Sequence, residues 1–295
     1  MKKLLLVLAA TVATAVSAQT TVYGRMNATV DSTKTGSTTV DSLVNDLSHI
    51  GFRVTEDLGQ GLKARAVLET AIGSQDPTGS AATQLGDRQS TVGLAHNLGS
   101  VDIGRNVHSQ FLAVSNNDAF GTLYGSVAGD IHNLRGLRLS NGTFVTVTPI
   151  KNVTATYDRT YTATGTEASA YSISGKLGPV TGTVARYEAG VEKSTVAGAS
   201  ATFGKTAVFY SRSENESATA GQTKKGDLIG VAQTFGKFTA KASYGETDTS
   251  VKAHSVGVDY AFSKRTSAGV AYRNVNAATA AADVKQVGVG LTHLF

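Results

Sequence analysis

From Ser48 to Ile72 the chain reads SHIGFRVTEDLGQGLKARAVLETAI, and its polarity alternates residue by residue. Ile50, Phe52 and Val54 fall on one side of an extended strand; His49, Gly51, Arg53 and Thr55 fall on the other. After the turn Glu-Asp-Leu-Gly-Gln-Gly, Leu62, Ala64, Ala66 and Leu68 oppose Lys63, Arg65 and Glu69. Successive side chains of a strand point to opposite faces, so this spacing predicts a hairpin with one apolar and one charged face. A soluble sandwich can carry such a hairpin. So can a barrel whose apolar face meets lipid and whose polar face lines water.

The same pattern recurs along the chain. Residues Thr20 to Asp31 alternate Val22, Met26 and Val30 against Tyr23, Arg25 and Asn27, and a polar stretch follows to Leu47. Further runs pair across short turns at 97–100, 148–150, 177–179, 203–205, 235–237 and 262–264. Longer polar loops are expected at 73–85, 163–166, 190–194, 214–223, 247–250 and 274–283. Short and long connections thus alternate, as in a transmembrane barrel with short turns at one rim and longer loops at the other. The runs predict 16 antiparallel strands closing on themselves in an all-β barrel. Closure matters because an unpaired strand edge in lipid finds no water to bond. The last run, VKQVGVGLTHLF, places Val287, Val289, Leu291, His293 and Phe295 on one face and suits the closing strand.

Composition narrows the chemistry. There is no Cys and no Trp, with 3 Pro and 32 Gly. Without Cys, disulfides and thiolate chemistry are excluded. The opening MKKLLLVLAATVATAVSA reads as an export signal, with Lys2 and Lys3 ahead of an apolar run and small residues at Val16-Ser17-Ala18. Cleavage is expected after Ala18, which leaves 19–295 as a single barrel. The formal charge is +5, of which two positives lie in the signal, so nucleic acid is not an expected partner. Val107 to Arg135 is the longest stretch without alternation, and long irregular loops are usually functional.

Four stretches carry a family resemblance: TVYGRMNATV, SHIGFRVTEDLGQGLKARAVLETAIG, GDRQSTVGLAHNLGSVDIGR and GVGLTHLF. In order and spacing the chain resembles the general porins of Gram-negative outer membranes, in their β-proteobacterial branch. The resemblance implies a homotrimer of 16-stranded barrels in the outer membrane, among lipid and lipopolysaccharide. It implies insertion by the barrel-assembly machinery through the C-terminal strand ending at Phe295. It also implies passive diffusion of ions and small hydrophilic solutes, with 107–135 folded into the pore as a constriction loop. No cofactor or metal is expected.

A pore requires a narrow aqueous section with a fixed charge field. Alternation offers Arg25, His49, Arg53, Lys63, Arg65, Glu69, Arg138, Lys176, Lys241, Asp259 and Arg273 for the lumen. The resemblance implies constriction-wall arginines at Arg88 and, with a one-residue offset, at Arg138. His49 stands where the family carries a third arginine, and Asn27 where it tends to carry Asp. Arg88 shares its parity with the apolar Val92 and Leu94, so a bulge or a strand start must intervene. Asp118 and Asp130 are the loop carboxylates expected to face the arginines. Small lumen-parity residues, Gly51, Gly269, Ala271, Gly288 and Gly290, argue against a plugged barrel.

Other chemistries find little footing. Gly204-Lys205-Thr206 lacks the earlier glycine of a phosphate loop, since Ala199 occupies that place. Gly125-Ser126-Val127-Ala128-Gly129 has the wrong spacing for a nucleophile elbow. The six His residues, at 49, 96, 108, 132, 254 and 293, show no metal-ligand spacing. A barrel lipase or protease would need a Ser/His/Asp or acidic cluster near one rim, and none is legible. A solute-specific pore remains open as an alternative to a general one. Because histidine gains its charge within physiological pH, anion preference should be stronger at pH 5 than at pH 8. Reversal potentials across a salt gradient at the two pH values measure this, and an unchanged value places His49 outside the constriction.

Overall fold

The alternation is realised as one continuous antiparallel sheet. The computed structural model describes residues 18–73, 84–132, 134, 137–162, 165–217, 222–277 and 279–295. Its strands are β1 (Gln19–Thr35), β2 (Thr38–Val44), β3 (His49–Gly59), β4 (Leu62–Ala71), β5 (Gln89–His96) and β6 (Gly99–Val107). Then come β7 (Arg138–Ile150), β8 (Val153–Thr160), β9 (Ala168–Leu177), β10 (Val180–Ala189), β11 (Glu192–Phe203) and β12 (Thr206–Ser217). The sheet ends with β13 (Gln222–Phe235), β14 (Phe238–Thr247), β15 (Lys252–Ala261), β16 (Thr266–Asn276) and β17 (Val284–Leu294). β1 pairs with both β2 and β3, each strand from β3 onward pairs with the next, and β17 returns to β1 in a register running from Arg25↔Leu294 to Thr35↔Val284. Phe295 extends that seam, exchanging backbone hydrogen bonds of 3.0 and 3.2 Å with Gly24. A Cβ at Gly24 would strike the Phe295 ring and lie 2.6 Å from the His49 carbonyl oxygen, so glycine fits this close approach.

Seventeen segments fill 16 wall positions, because β2 and β3 share one. The upper half of β1, from Thr29 to Thr35, pairs with β2, and its lower half, from Gln19 to Arg25, pairs with β3. Residues 45–48 interrupt the shared position. The polar stretch expected as a loop up to Leu47 is therefore largely strand: Ser, Thr and Asp disguised it, and pairing to a long β1 decided it. At one rim the connections are short, at 60–61, 97–98, 151–152, 178–179, 204–205, 236–237 and 262–265. At the other rim they are less uniformly long than expected. The turn at 190–191 is as tight as those below, and β12 and β13 run well into the stretch expected as a 214–223 loop. The export segment lies almost wholly outside the described residues, as do 74–83 of the expected loop at 73–85.

Burial follows parity. Asn27, Thr29 and Asp31 are buried inside, while Val22 and Val30 are 52% and 67% exposed outside. The outward residues Phe52, Val92, Leu94, Ile103, Ile173, Ile229, Val256 and Val289 continue this apolar surface around the barrel. Such a surface has no aqueous explanation and matches a lipid-facing belt.

The segment between β6 and β7 is not irregular throughout. It forms α1 (Ser109–Ser115) and α2 (Ala128–His132) inside the barrel. α1 packs on β8–β11 and α2 on β12–β15. Val114, Val127 and Ile131 are fully buried against Val196, Leu228 and Ala253. Each large aliphatic side chain so buried contributes about 1.5–3 kcal/mol. Inward glycines seat the loop. A Cβ at Gly198 would lie 2.6 Å from Asn117, at Gly230 2.9 Å from Ala119, and at Gly257 3.0 Å from Phe120; at Gly288 it would strike the Tyr124 hydroxyl. Gly288 and Ala271, which parity alone suggested as open lumen lining, thus lie under the loop.

A Cβ at Gly226 would collide with the Ile131 carbonyl oxygen, which is backbone and cannot swing aside. Gly226→Val is expected to cost about 1–3 kcal/mol by overpacking. Thermal unfolding should show a lowered midpoint, and limited proteolysis a newly accessible segment at 109–132.

Candidate functional site

Because the loop lies on β8–β17, the wall formed by β1 and β3–β7 is left facing the lumen. That wall carries the charge. Tyr23 and Arg25 come from β1, His49 and Arg53 from β3, Lys63, Arg65 and Glu69 from β4 and Asp102 from β6, all from inward positions of the ladder; Arg138 opens β7 past a bulge, opposite Val107. Arg88 precedes β5, which begins at Gln89. Its backbone N–H donates to the Glu69 carbonyl, and its Nε donates to Glu69 Oε1 at 2.6 Å. The strand start therefore releases Arg88 from the parity of Val92 and turns it inward.

Half of the arginines and lysines named for this wall have a carboxylate partner. Arg25 pairs with Asp46 at 3.1 Å, and Arg65 binds Asp102 through two bonds, one of them 2.7 Å from Nε to Oδ1. Glu69 is shared: besides Arg88 it accepts from the Tyr23 hydroxyl at 3.0 Å and faces His49 Nε2 at 3.8 Å. His49 Nδ1 lies 2.7 Å from the Leu47 carbonyl, so that nitrogen carries the proton and Nε2 is turned to the carboxylate. Arg53 lies over the Tyr23 ring, 4.9 Å from its centre. Among the described residues Arg53, Lys63 and Arg138 have no ion pair, and Arg138 Nε is buried without a hydrogen bond. Arg53, Lys63 and Arg65 line a cavity of about 360 Å³ with Asp102, Gln89 and Asn106.

The loop carboxylates do not stand opposite this wall. Asp118 is 4% exposed and folds back into the loop, accepting from the Phe120 and Thr122 amides at 3.2 and 2.8 Å and from Ser126 Oγ at 2.6 Å. It is an internal brace with its lone pairs spent locally. Asp130 turns to β16, 3.4 Å from Arg273. Burial pushes its carboxyl above the usual range, and Arg273 opposes that shift. The acids that matter to the arginines come from the wall and from the break between β2 and β3. Asp102 was legible in GSVDIGR, where it alternates with Val101 and Ile103. Asp46 sits in a polar stretch without periodicity and left no such signal.

The tip of the loop crosses to β1. The Tyr124 hydroxyl donates to Asp31, and its backbone N–H donates to Asp46 at 3.1 Å. Burial and then the Asp31 hydrogen bond push the phenol far above its ordinary range, so it stays protonated. Tyr124 and Asp46 border a second cavity of about 330 Å³ with Arg25, Phe120, Lys241 and Asp259. Lys241 pairs with Asp259 at 2.7 Å.

Fixed bonds hold the loop elsewhere. Gln110 donates to Ser194 at 3.0 Å, and Ser109 N–H to Asp158 at 2.7 Å. His132 is fully buried between Ser211, 2.8 Å from Nε2, and Ser213, 2.9 Å from Nδ1. This Ser–His contact has no carboxylate on the second nitrogen and no route for a substrate, so it is an anchor. Burial lowers the His132 pKa to about 4, with Asp227 opposing. The unfolded chain takes up this proton near pH 6.5 and the folded chain only near pH 4. The anchor is therefore unpenalised above pH 6.5, and stability falls as pH drops from 6.5 to 4, by up to about 3 kcal/mol. Thermal unfolding across that range should show the decline, and His132→Asn should flatten it.

The profile of a family described as Gram-negative porin matches residues 4–293. Major outer membrane protein P.IA of Neisseria meningitidis serogroup C is 48% identical over 64 residues, 22% of this chain and 16% of that protein. The serogroup A form is 47% identical over 64 residues, 22% of this chain and 15% of that protein. The match thus spans well under two thirds of those relatives' length. Among solved structures, the anion-selective porin from Comamonas acidovorans superposes with a TM-score of 0.80 at 20% identity, covering 94% of this chain and 100% of that one. Salmonella typhi OmpF superposes with a TM-score of 0.73 at 16% identity, covering 94% and 97%. At these identities the superpositions speak to the fold.

Proposed function

This chain belongs to the Gram-negative porin family, and from that we propose a passive outer-membrane channel for ions and small hydrophilic solutes, with a weak preference for anions. The observation that carries the reading is the division of the lumen: the described part of the segment between β6 and β7, through His132, lies over the glycine-seated half and leaves the charged half open. In this reading the segment is the constriction loop, and Arg25, His49, Arg53, Arg65, Arg88 and Arg138 belong to the wall opposite it. Low-dielectric walls focus the field of such charges on the water between them. Arg25, Arg65 and Arg88 are offset by Asp46, Asp102 and Glu69. The anion preference then falls to Arg53, Lys63 and Arg138. The solved porin from Comamonas acidovorans, itself described as anion-selective, is consistent with this reading.

The outer face supports a homotrimer. Tyr157, Tyr171, Tyr210, Tyr244, Tyr260 and Tyr272 point outward from β8–β16, whereas the outward side of β1–β7 carries one aromatic among the described residues, Phe52. Tyrosines gather where a membrane protein meets the headgroup layer. The girdled sector therefore suits lipid and lipopolysaccharide, and the smooth sector suits a second copy of the chain. The apolar outward side of β17, from Val287 to Leu291, suits engagement by the barrel-assembly machinery.

In planar bilayers the purified protein should give discrete conductance steps and an anion-favouring reversal potential. Changing Arg53, Lys63 and Arg138 together to Gln should abolish that preference, since the remaining wall cations have carboxylate partners. A membrane-inserted barrel without conductance overturns the channel reading. An unchanged reversal potential in the triple variant moves the selectivity away from this wall.

A further inference from the structure

We propose that Asp46 is a selectivity-determining carboxylate that also positions the loop tip, an inference that rests on the channel reading above. Its carboxylate makes two contacts of different kinds. One is to the Arg25 guanidinium at 3.1 Å, and the other is to the backbone N–H of Tyr124 at 3.1 Å. One oxygen, Oδ2, serves both. The same group therefore cancels a wall cation and tethers the segment that narrows the lumen.

The break at 45–48 is built to present it. Leu47 takes a left-handed conformation, φ 59°, that β-strands do not use. Asn27 on β1 braces the break, its Oδ1 accepting from the Asp46 N–H at 3.0 Å and its own N–H donating to Ser48 Oγ at 2.8 Å. Asn45 Oδ1 accepts from Ser48 N–H at 3.0 Å, and its amide nitrogen bonds the Ile72 carbonyl. The backbone groups released by interrupting the ladder are thereby re-bonded, and the Asp46 side chain is swung into the lumen. Asn27 stands where the family resemblance implies an acid. The negative charge is supplied from the neighbouring position in space, on a segment with no strand periodicity to reveal it.

The charges oppose each other in a way that separates an electrostatic role from a structural one. A unit charge about 7 Å from an ion in water is worth about RT, cut by screening at physiological salt to about 0.4 RT, and its sign is opposite for anion and cation, so removing one should change the anion-to-cation permeability ratio by roughly two- to threefold. Asp46→Asn keeps an oxygen for the Tyr124 N–H and uncovers Arg25, so the ratio should rise. Arg25→Gln uncovers Asp46, so the ratio should fall. The double variant should return near the wild-type value, and Asp46→Glu should restore most of it. Asp46→Ala should add to the Asn effect a noisier open channel, because the tip loses its tether.

Reversal potentials and single-channel records of this series in planar bilayers decide the matter. Opposite shifts for Asp46→Asn and Arg25→Gln support the proposal; equal or absent shifts in channels that still conduct overturn it. Records for Asp46→Ala indistinguishable from those for Asp46→Asn overturn the tethering half. A wild-type chain that inserts without conducting overturns the channel reading itself, and this inference with it. If Asp46→Asn does not fold, Asp46→Ala is read in its place: a rise in the ratio supports the proposal, and no shift overturns it.

Discussion

The closure of the sheet at the β1–β17 seam is the constraint on which everything else rests. A backbone N–H or C=O left unpaired against lipid costs several kcal/mol, so a strand edge has no place in a bilayer. Eleven paired positions along the seam, extended by the Gly24–Phe295 exchange, remove that edge. Once the ring is closed, parity is no longer a local matter. Every inward residue of every strand faces one shared interior, and every outward residue faces one shared belt.

That interior is divided by size before it is divided by charge. Glycine at 198, 226, 230, 257 and 288 removes side chains where the loop approaches, and the loop fills the space with Asn117, Ala119, Phe120, Tyr124 and Ile131. Polar anchors add direction. Gln110 reaches Ser194 and His132 reaches Ser211 and Ser213, each a buried group that is costly to leave unpaired. Where the wall carries arginine and lysine, long side chains leave no seat and the loop stays away. Charge and steric bulk therefore select the same half of the barrel to remain open.

The open half is less basic than its inventory suggests. Arg65–Asp102 and Arg25–Asp46 are partly buried, so the cost of desolvating them offsets much of their attraction and they are weak evidence for stability. In the channel reading proposed above, their effect is on the field, because a permeating ion would sense the sum of nearby charges. Glu69 illustrates this: by collecting Arg88, Tyr23 and His49 around one carboxylate it orders three side chains while leaving little net charge.

Much of this was legible in the chain alone. Strand identity, the inward side of Arg25, His49, Arg53, Lys63, Arg65 and Glu69, and the anomaly at 107–135 all follow from period-two alternation. Alternation is a property of consecutive residues and survives any tertiary arrangement that closes the sheet. What it could not reach depends on contacts between distant segments. β2 is a strand because a long β1 pairs with it, although its own composition reads as loop. Arg88 turns inward because a strand begins one residue later. Asp118 and Asp130 face their own loop and Arg273 because of how the loop is seated. Asp46 reaches Arg25 and Tyr124 from a break that has no period at all. The sequence by itself determined which face each strand residue occupies. Only the tertiary structure decided which charges meet, since pairing is set by distances across the lumen that no local pattern encodes.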